Sequence, residues 1–251
     1  VIWFDWRIEQ PAFKNYLQRF AAYYYNRAAE WNRGVVVQYK HEAFPEKVAV
    51  LDIERGQLSD IRPLTWQTDT AVAKNSWGYV ESRDYKQAGD LIGDLVDIVS
   101  KNGILLLNIG PRPDGTIPEG DAQLLREIGK WLAVNGEAIY NTRPWTIYGE
   151  GPTQVVGGEF NDTSRQSFTA EDVRFTTNGD TLYATIFGWP EGELTIRALG
   201  KNAGHYDGSI GNVELIGSSE PVQWTQDDSG LHMTMPSKKS GEHAFVLKIT
   251  R

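Results

Sequence analysis

The chemistry open to this chain is limited first by what it lacks. Its 251 residues include no cysteine, which removes thiolate nucleophiles, cysteine-ligated metals and disulfides together. Of four histidines only His41 lies early in the chain, with His205, His232 and His243 scattered far downstream. That spread does not suit a histidine metal site or a Ser-His-Asp triad. There is no Gly-x-Ser-x-Gly elbow, no Gly-x-Gly-x-x-Gly fingerprint and no P-loop, so neither an activated serine nor a nucleotide cofactor is indicated. What remains is carboxylates with tryptophans, and no metal or cofactor is expected. This pairing suits sugars, whose polar rims need charged hydrogen-bond partners and whose apolar faces pack on aromatic rings.

Hydrolysis of a glycosidic bond takes two carboxyl groups flanking it, one acting as nucleophile or base and the other as general acid. Asp5 supplies the first candidate, because Val1-Ile2-Trp3-Phe4 reads as a strand buried on both faces with Asp5 at its carboxyl end. A strand-end aspartate also caps the following turn, and the stretch alone leaves both roles open. Partners for it include Glu42, Glu46, Asp52, Glu54, Asp60, Asp69 and Glu81, each of which also reads as a solvated surface charge. Glu54 stands out: the apolar run Val48-Ala49-Val50-Leu51 leads into Asp52-Ile53-Glu54-Arg55-Gly56, which places it just past a buried strand, beside a cation and a glycine bend.

The elements that must hold these residues follow from periodicity. Pro11 opens an amphipathic helix carrying Phe13, Leu17, Phe20, Ala21, Tyr24, Ala28 and Trp31 at three- and four-residue steps, and Val35-Val36-Val37 is a β-branched strand after Gly34. Residues 40–85 show little periodicity and many charges, prolines and tryptophans, the pattern of a long functional loop. A second helix is expected over 87–101, a doubly buried strand over 104–107, a turn at Pro111-Arg112-Pro113-Asp114-Gly115, a third helix from Pro118, and a short strand at 138–140. This alternation specifies a parallel α/β sheet or barrel over residues 1–148. The Gly-rich stretch 148–158 is the expected boundary, and residues 158–251 read as a separate antiparallel β-sandwich of seven or so short strands.

The totals bound the partners. A net charge of −8 without any Lys/Arg cluster speaks against nucleic acid and anionic membrane surfaces, and no apolar run approaches the roughly 18 residues of a membrane span. The chain starts at Val1 in mid-strand, so it is expected to lack its natural beginning.

Taken together and in order, several motifs resemble the α-L-fucosidases of glycoside hydrolase family 29. They are Trp3-Phe4-Asp5, Trp66-Gln67-Thr68-Asp69, Ser76-Trp77-Gly78-Tyr79, Leu105-Leu106-Leu107-Asn108-Ile109-Gly110-Pro111 with Asp114-Gly115, and Gly136-Glu137-Ala138-Ile139-Tyr140. The resemblance covers residues 1 to about 145 closely, and the β-region after it is similar to that family's C-terminal sandwich. It implies the second half of a (β/α) barrel followed by the sandwich, with exo-acting retaining hydrolysis of terminal α-L-fucose from fucosylated oligosaccharides by double displacement. It further implies that Asp5 is the nucleophile, that Trp3 and Trp77 pack around the sugar, and that Lys40 contacts its hydroxyls. Some relatives carry the general acid as Glu directly after the loop tryptophan, where this chain has Gln67, which cannot titrate. The acid is therefore assigned to Glu54, with Glu46 as second choice. To donate a proton near neutrality Glu54 must hold it at rest, which burial or the Asp5 charge favours and an inward Arg55 opposes. The family barrel has strands before Trp-x-Asp that this chain lacks, so the missing half is expected from the same or another chain. The resemblance favours a secreted or periplasmic protein. The competing reading, prompted by Gln67 and the incomplete barrel, is a non-catalytic fucose-binding or scaffolding protein.

Overall fold

The computed structural model describes residues 1–251. The first unit runs β1 (Ile2–Trp3), α1 (Lys14–Trp31), β2 (Val37–Tyr39), β3 (Val50–Glu54), β4 (Trp66–Ala71), α2 (Ala88–Ser100), β5 (Gly103–Asn108) and α3 (Glu119–Asn135). Its five strands pair in sequence order, all in parallel. The result is a curled half-barrel sheet with helices α1 and α2 in the first and last crossovers.

Local chemistry explains the helices. Asn32 ends α1 in the left-handed conformation, at φ 50°, and its backbone N–H closes onto the last turn. Pro118 sets the entry to α3, and Glu119 and Asp121 put negative charge at the positive end of its dipole. In α2, Leu91, Ile92, Val96 and Ile98 are buried, and Asn102 at φ 70° turns the chain into β5.

Three expectations need correction. The span 40–85 is not one irregular loop, because it contains β3 and β4. All six residues of β4, Trp-Gln-Thr-Asp-Thr-Ala, are buried although four of its six side chains are polar. Strands that line a polar interior do not show the apolar period that sequence reading relies on. Next, the apolar strands are not covered on both faces: Ile104 is 48% exposed, Leu106 43% and Trp3 41%. They belong to β5 and β1, the two edges of the open sheet, and project from the face that a closed barrel would fill. Finally, the boundary expected at 148–158 falls earlier. Residues Gly136–Ala138 form a 3₁₀ turn in place of a strand, and β6 (Arg143–Glu150) pairs with the sandwich, Arg143 opposite Thr177 and Glu150 opposite Val173. The strand carries a bulge between Pro144 and Gly149, and Gly151, Pro152, Gly157 and Gly158 lie in the connection that follows it.

After β6, residues 151–172 form a strandless strap before β7 (Val173–Asn178), β8 (Thr181–Ile186), β9 (Glu193–Ile196), β10 (Asn212–Leu215), β11 (Gln223–Gln226), β12 (Leu231–Thr234) and β13 (Phe245–Thr250). One antiparallel sheet has the order β10-β13-β8-β7-β6 and the other β11-β12-β9. Alternating residues of both sheets, among them Phe175, Ile186, Ile196, Leu231, Leu247 and Ile249, enclose a core of 19 buried residues. Asn178-Gly179 and Asp228-Ser229-Gly230 turn hairpins, whereas the Pro190 turn carries the chain from one sheet to the other.

The two units pack through α2 and α3. Ile92, Val96 and Trp131 meet Tyr183 and Val246 of the sandwich. Beside them Asp97, fully buried, accepts from Lys101 Nζ at 2.6 Å and from Arg174 Nε of β7 at 2.6 Å.

Candidate active site

Side chains two residues apart share one face of a strand. On the concave side of the sheet this brings together Trp3 and Asp5, Gln38 and Lys40, Asp52 and Glu54, Gln67 and Asp69, and Leu106 and Asn108, with Asp52 opposite Gln67 and Glu54 opposite Asp69 in register. The carboxyl ends of the strands thus supply a row of polar groups, at the edge where barrel enzymes place their chemistry. An open cavity of about 600 Å³ lies there, lined by Trp3, Asp5, Glu54, Asp69, Trp77 and the stretch 106–109.

Asp5 follows β1, whose end is tied to β2 by Phe4 N–H donating to the Gln38 carbonyl at 3.0 Å. Asp5 Oδ1 accepts from Trp6 N at 2.8 Å, capping a 3₁₀ turn, and the exposed carboxylate lines the cavity. Glu54 ends β3 on the same cavity wall.

Lys40 is the electrostatic centre of the row. Its ammonium is buried and lies 2.7 Å from Asp69 Oδ1, 3.3 Å from Asp52 Oδ2 and 3.3 Å from Glu54 Oε2, with the Trp3 ring centroid 5.4 Å away. Burial pulls the Lys40 pKa down, but the hydrogen bond to Asp69 and the three carboxylates outweigh it, so the net shift is upward. Asp69 is pushed up to about 7, by burial first and by the Asp52 charge next, against the opposing pull of Lys40. Three carboxylates around one cation leave the cluster with more negative charge than it can neutralise. Its side chains gather no metal-holding group of three His, Asp or Glu.

A second layer fixes this cluster. Asp52 accepts from Trp3 Nε1 at 2.8 Å and from Gln67 Nε2 at 2.8 Å, and the Gln67 carbonyl oxygen accepts from Gln38 Nε2. Gln67 is therefore a buried positioning amide pinned to Asp52. Trp77 is held by Asn108 Nδ2, which donates to its carbonyl at 2.6 Å.

Of the residues expected from the sequence, Asp5, Glu54, Trp3 and Trp77 meet around one cavity and Lys40 lies beneath it. Glu46 does not join them. It is exposed, pairs with Arg62 at 3.3 Å, and borders a separate hollow of about 930 Å³ between α1 and residues 41–48. That hollow is larger, but the carboxylate row is not in it, and the smaller cavity is the candidate site. Sequence reading names Asp52 and Asp69 only among the possible partners of Asp5, gives them no place beside Lys40, and does not single out Gln38. The available signal was the spacing of Gln38 to Lys40, Asp52 to Glu54 and Gln67 to Asp69, three pairs at period two, obscured by treating the segment as a loop.

The fold and site together are those of a half-barrel whose strand ends carry paired carboxylates and tryptophan rings, joined to an antiparallel sandwich. Comparison with known proteins specifies it. A family model described as alpha-L-fucosidase matches residues 1–137, and one described as alpha-L-fucosidase C-terminal domain matches residues 165–250. The chain belongs to the alpha-L-fucosidase family. It is 33% identical over 196 residues to the tissue alpha-L-fucosidase of Rattus norvegicus, covering 74% of this chain and 37% of that one. It is 36% identical over 183 residues to the plasma alpha-L-fucosidase of the same organism, covering 69% and 35%. The Thermotoga maritima alpha-fucosidase, solved in complex with fucose, superposes with a TM-score of 0.71 at 25% identity over 95% of this chain and 49% of its own. The chain spans little more than a third of the curated relatives it matches and about half of the solved structures.

Proposed function

We propose that this chain is the carboxyl-terminal part of the catalytic apparatus of a retaining, exo-acting α-L-fucosidase that releases terminal α-L-fucose from fucosylated glycans. One observation carries the reading. Two carboxyl groups at the ends of different strands, Asp5 just past β1 and Glu54 closing β3, line one cavity that also presents two tryptophan rings, in a chain of the fucosidase family.

In this reading the Asp5 carboxylate attacks the anomeric carbon from the face opposite the leaving group, forming a fucosyl ester as the glycosidic bond breaks. Glu54 gives its proton to the departing oxygen and then takes one from the water that cleaves the ester, which returns both carboxyl groups to their starting states. Trp3 and Trp77 pack on the apolar side of the sugar. Lys40 holds Asp52, Glu54 and Asp69 in place and offers its positive charge beneath the sugar hydroxyls. Further βα units, from the same or another chain, cover Ile104 and Leu106 and pair with the open edges of β1 and β5. The coverage of only 49% of the Thermotoga maritima structure supports this. Assay of the complete protein on an aryl α-L-fucoside tests the proposal, with hydrolysis expected.

The open sheet and the Gln67 amide favour one second reading, a fucose-binding or scaffolding protein with a degenerate site. Calorimetry with fucose beside the activity assay separates the two, since binding without turnover by the complete protein selects the second.

A further inference from the structure

The strap between β6 and β7 leaves the sandwich and returns to the half-barrel beside the cavity. Gln57 and Gly158 exchange backbone hydrogen bonds of 3.1 and 2.9 Å, Phe160 N donates to the Glu54 carbonyl at 2.9 Å, and Asn161 N and Asp162 N donate to the Arg55 carbonyl at 2.9 and 3.0 Å. The approach is close enough that a Cβ on Gly56 would collide with the Gly158 carbonyl. The strap is thus bonded to the backbone of Glu54, Arg55 and Gln57.

Asp162 extends from the strap into the half-barrel and is buried there. Its Oδ2 accepts from Thr70 Oγ1 at 2.6 Å and Lys86 Nζ at 2.5 Å, and faces Arg55 at 3.4 Å. Arg55 sits in the left-handed region at φ 45°, a conformation that a non-glycine residue holds only where its surroundings enforce it. Its guanidinium donates to the carbonyls of Ala73 at 3.2 Å and Lys74 at 3.3 Å, where the Trp77 loop begins, and stacks 4.3 Å from the Trp77 ring centroid. A continuous chain of contacts therefore runs from the strap through Asp162 and Arg55 to a ring that lines the cavity.

We propose that Asp162 is a positioning residue of the sugar site, acting through Arg55 on Trp77, so that the sandwich's strap forms part of that site. The inference rests on the reading of Trp77 as a sugar-packing ring. A guanidinium fixed by one carboxylate and two carbonyls keeps its planar fork against the indole face, and the indole then has one orientation toward the cavity. Without the carboxylate, Arg55 and Lys86 face each other as unbalanced buried cations and the stack is released.

The test uses the complete protein with Asp162→Asn, Arg55→Lys, Trp77→Phe and the Asp162→Asn/Arg55→Lys double variant. Two readouts are taken. The first is the Trp77 component of tryptophan emission without ligand, obtained by difference from Trp77→Phe. The second is the Kd for fucose by calorimetry. Asp162→Asn is expected to shift the Trp77 emission and weaken fucose binding about tenfold, the scale of one lost cation–π contact together with a misplaced ring. The double variant is expected to bind no more weakly than Arg55→Lys alone. Should Asp162→Asn fail to fold, Arg55→Lys carries the same two expectations, because it keeps the charge but loses the planar fork. A variant that melts earlier yet keeps the Trp77 emission and the fucose Kd of the parent overturns the proposal. If the parent itself neither binds nor hydrolyses fucosides, the sugar-site reading fails, and the emission difference still decides whether Asp162 positions Trp77.

Discussion

Glu54 and Asp69 stand opposite each other on adjacent parallel strands, and the buried Lys40 ammonium bridges them at 3.3 and 2.7 Å. The carboxylate read as general acid is therefore part of a charge cluster that includes Asp52. Its behaviour depends on groups that never touch the substrate.

Removing Lys40 leaves Asp52, Glu54 and Asp69 without their shared cation. Breaking a buried ion cluster by deleting one partner costs about 3–5 kcal/mol. Lys40→Met is expected to lower the stability of the complete protein by that amount, measured by urea unfolding at pH 7.5. The loss should be smaller near pH 5, where Asp69 is already protonated.

Asp69 gives the cluster a pH signature. Its folded-state pKa of about 7 lies above the ordinary aspartate value of 3.8, so between those limits the native state holds a proton that the unfolded state has released. Stability from this group is therefore greatest below about pH 4 and declines as pH rises through 7. Asp69→Asn should flatten that decline, checked by urea midpoints for parent and variant at intervals from pH 4.5 to 8. Parallel curves for the two proteins would contradict the assignment.

The two candidates for the acid separate cleanly. Glu54→Ala is expected to lose about 10²–10⁴-fold in kcat on substrates with poor leaving groups and far less on activated aryl fucosides, since only the former need a proton. Glu46→Ala, at an exposed pair with Arg62, should change kcat/KM by less than about twofold. Steady-state kinetics on a leaving-group series reads both.

At the interface between the units, Asp97 is the carboxylate shared by Lys101 and Arg174 in a buried triad. Asp97→Ala should destabilise by about 3–5 kcal/mol and divide a single calorimetric unfolding transition into two.

How far the sequence foretold this arrangement depended on which face of a strand its residues occupy. The sandwich strands from 173 onward are short runs set off by turn signals and legible to within one or two residues. Strands β9, β10 and β12 alternate because one face meets a core and the other water, while β7, β8 and β13 also bury residues such as Tyr183 and Val246 against α2 and α3. The helices carrying Leu91 and Leu124 were equally plain. Strand β4 was missed because both of its faces are covered, one by α2 and one by the polar row, so Trp66-Gln67-Thr68-Asp69 shows no apolar period. The strand β6 pairs with the sandwich, whereas the Gly-rich stretch 148–158 at its end reads as the boundary and leaves most of the strand in the first unit. Asp5 and Glu54 were found through their place after apolar runs. The Lys40 cluster and the strap were not, since ion pairs across 12 to 29 residues and a contact from Asp162 to Arg55 leave no local pattern.

The most direct measurement of the central claim replaces Asp5 with glycine in the complete protein and assays an aryl α-L-fucoside with and without azide. Hydrolysis is expected to fall by at least about 10³-fold. Azide, entering where the carboxylate stood, should restore release of the aryl group and yield β-L-fucosyl azide, because it attacks from the face that Asp5 used. Activity undiminished by Asp5→Gly would contradict the account. So would a loss of activity that azide leaves unrelieved, with no fucosyl azide formed.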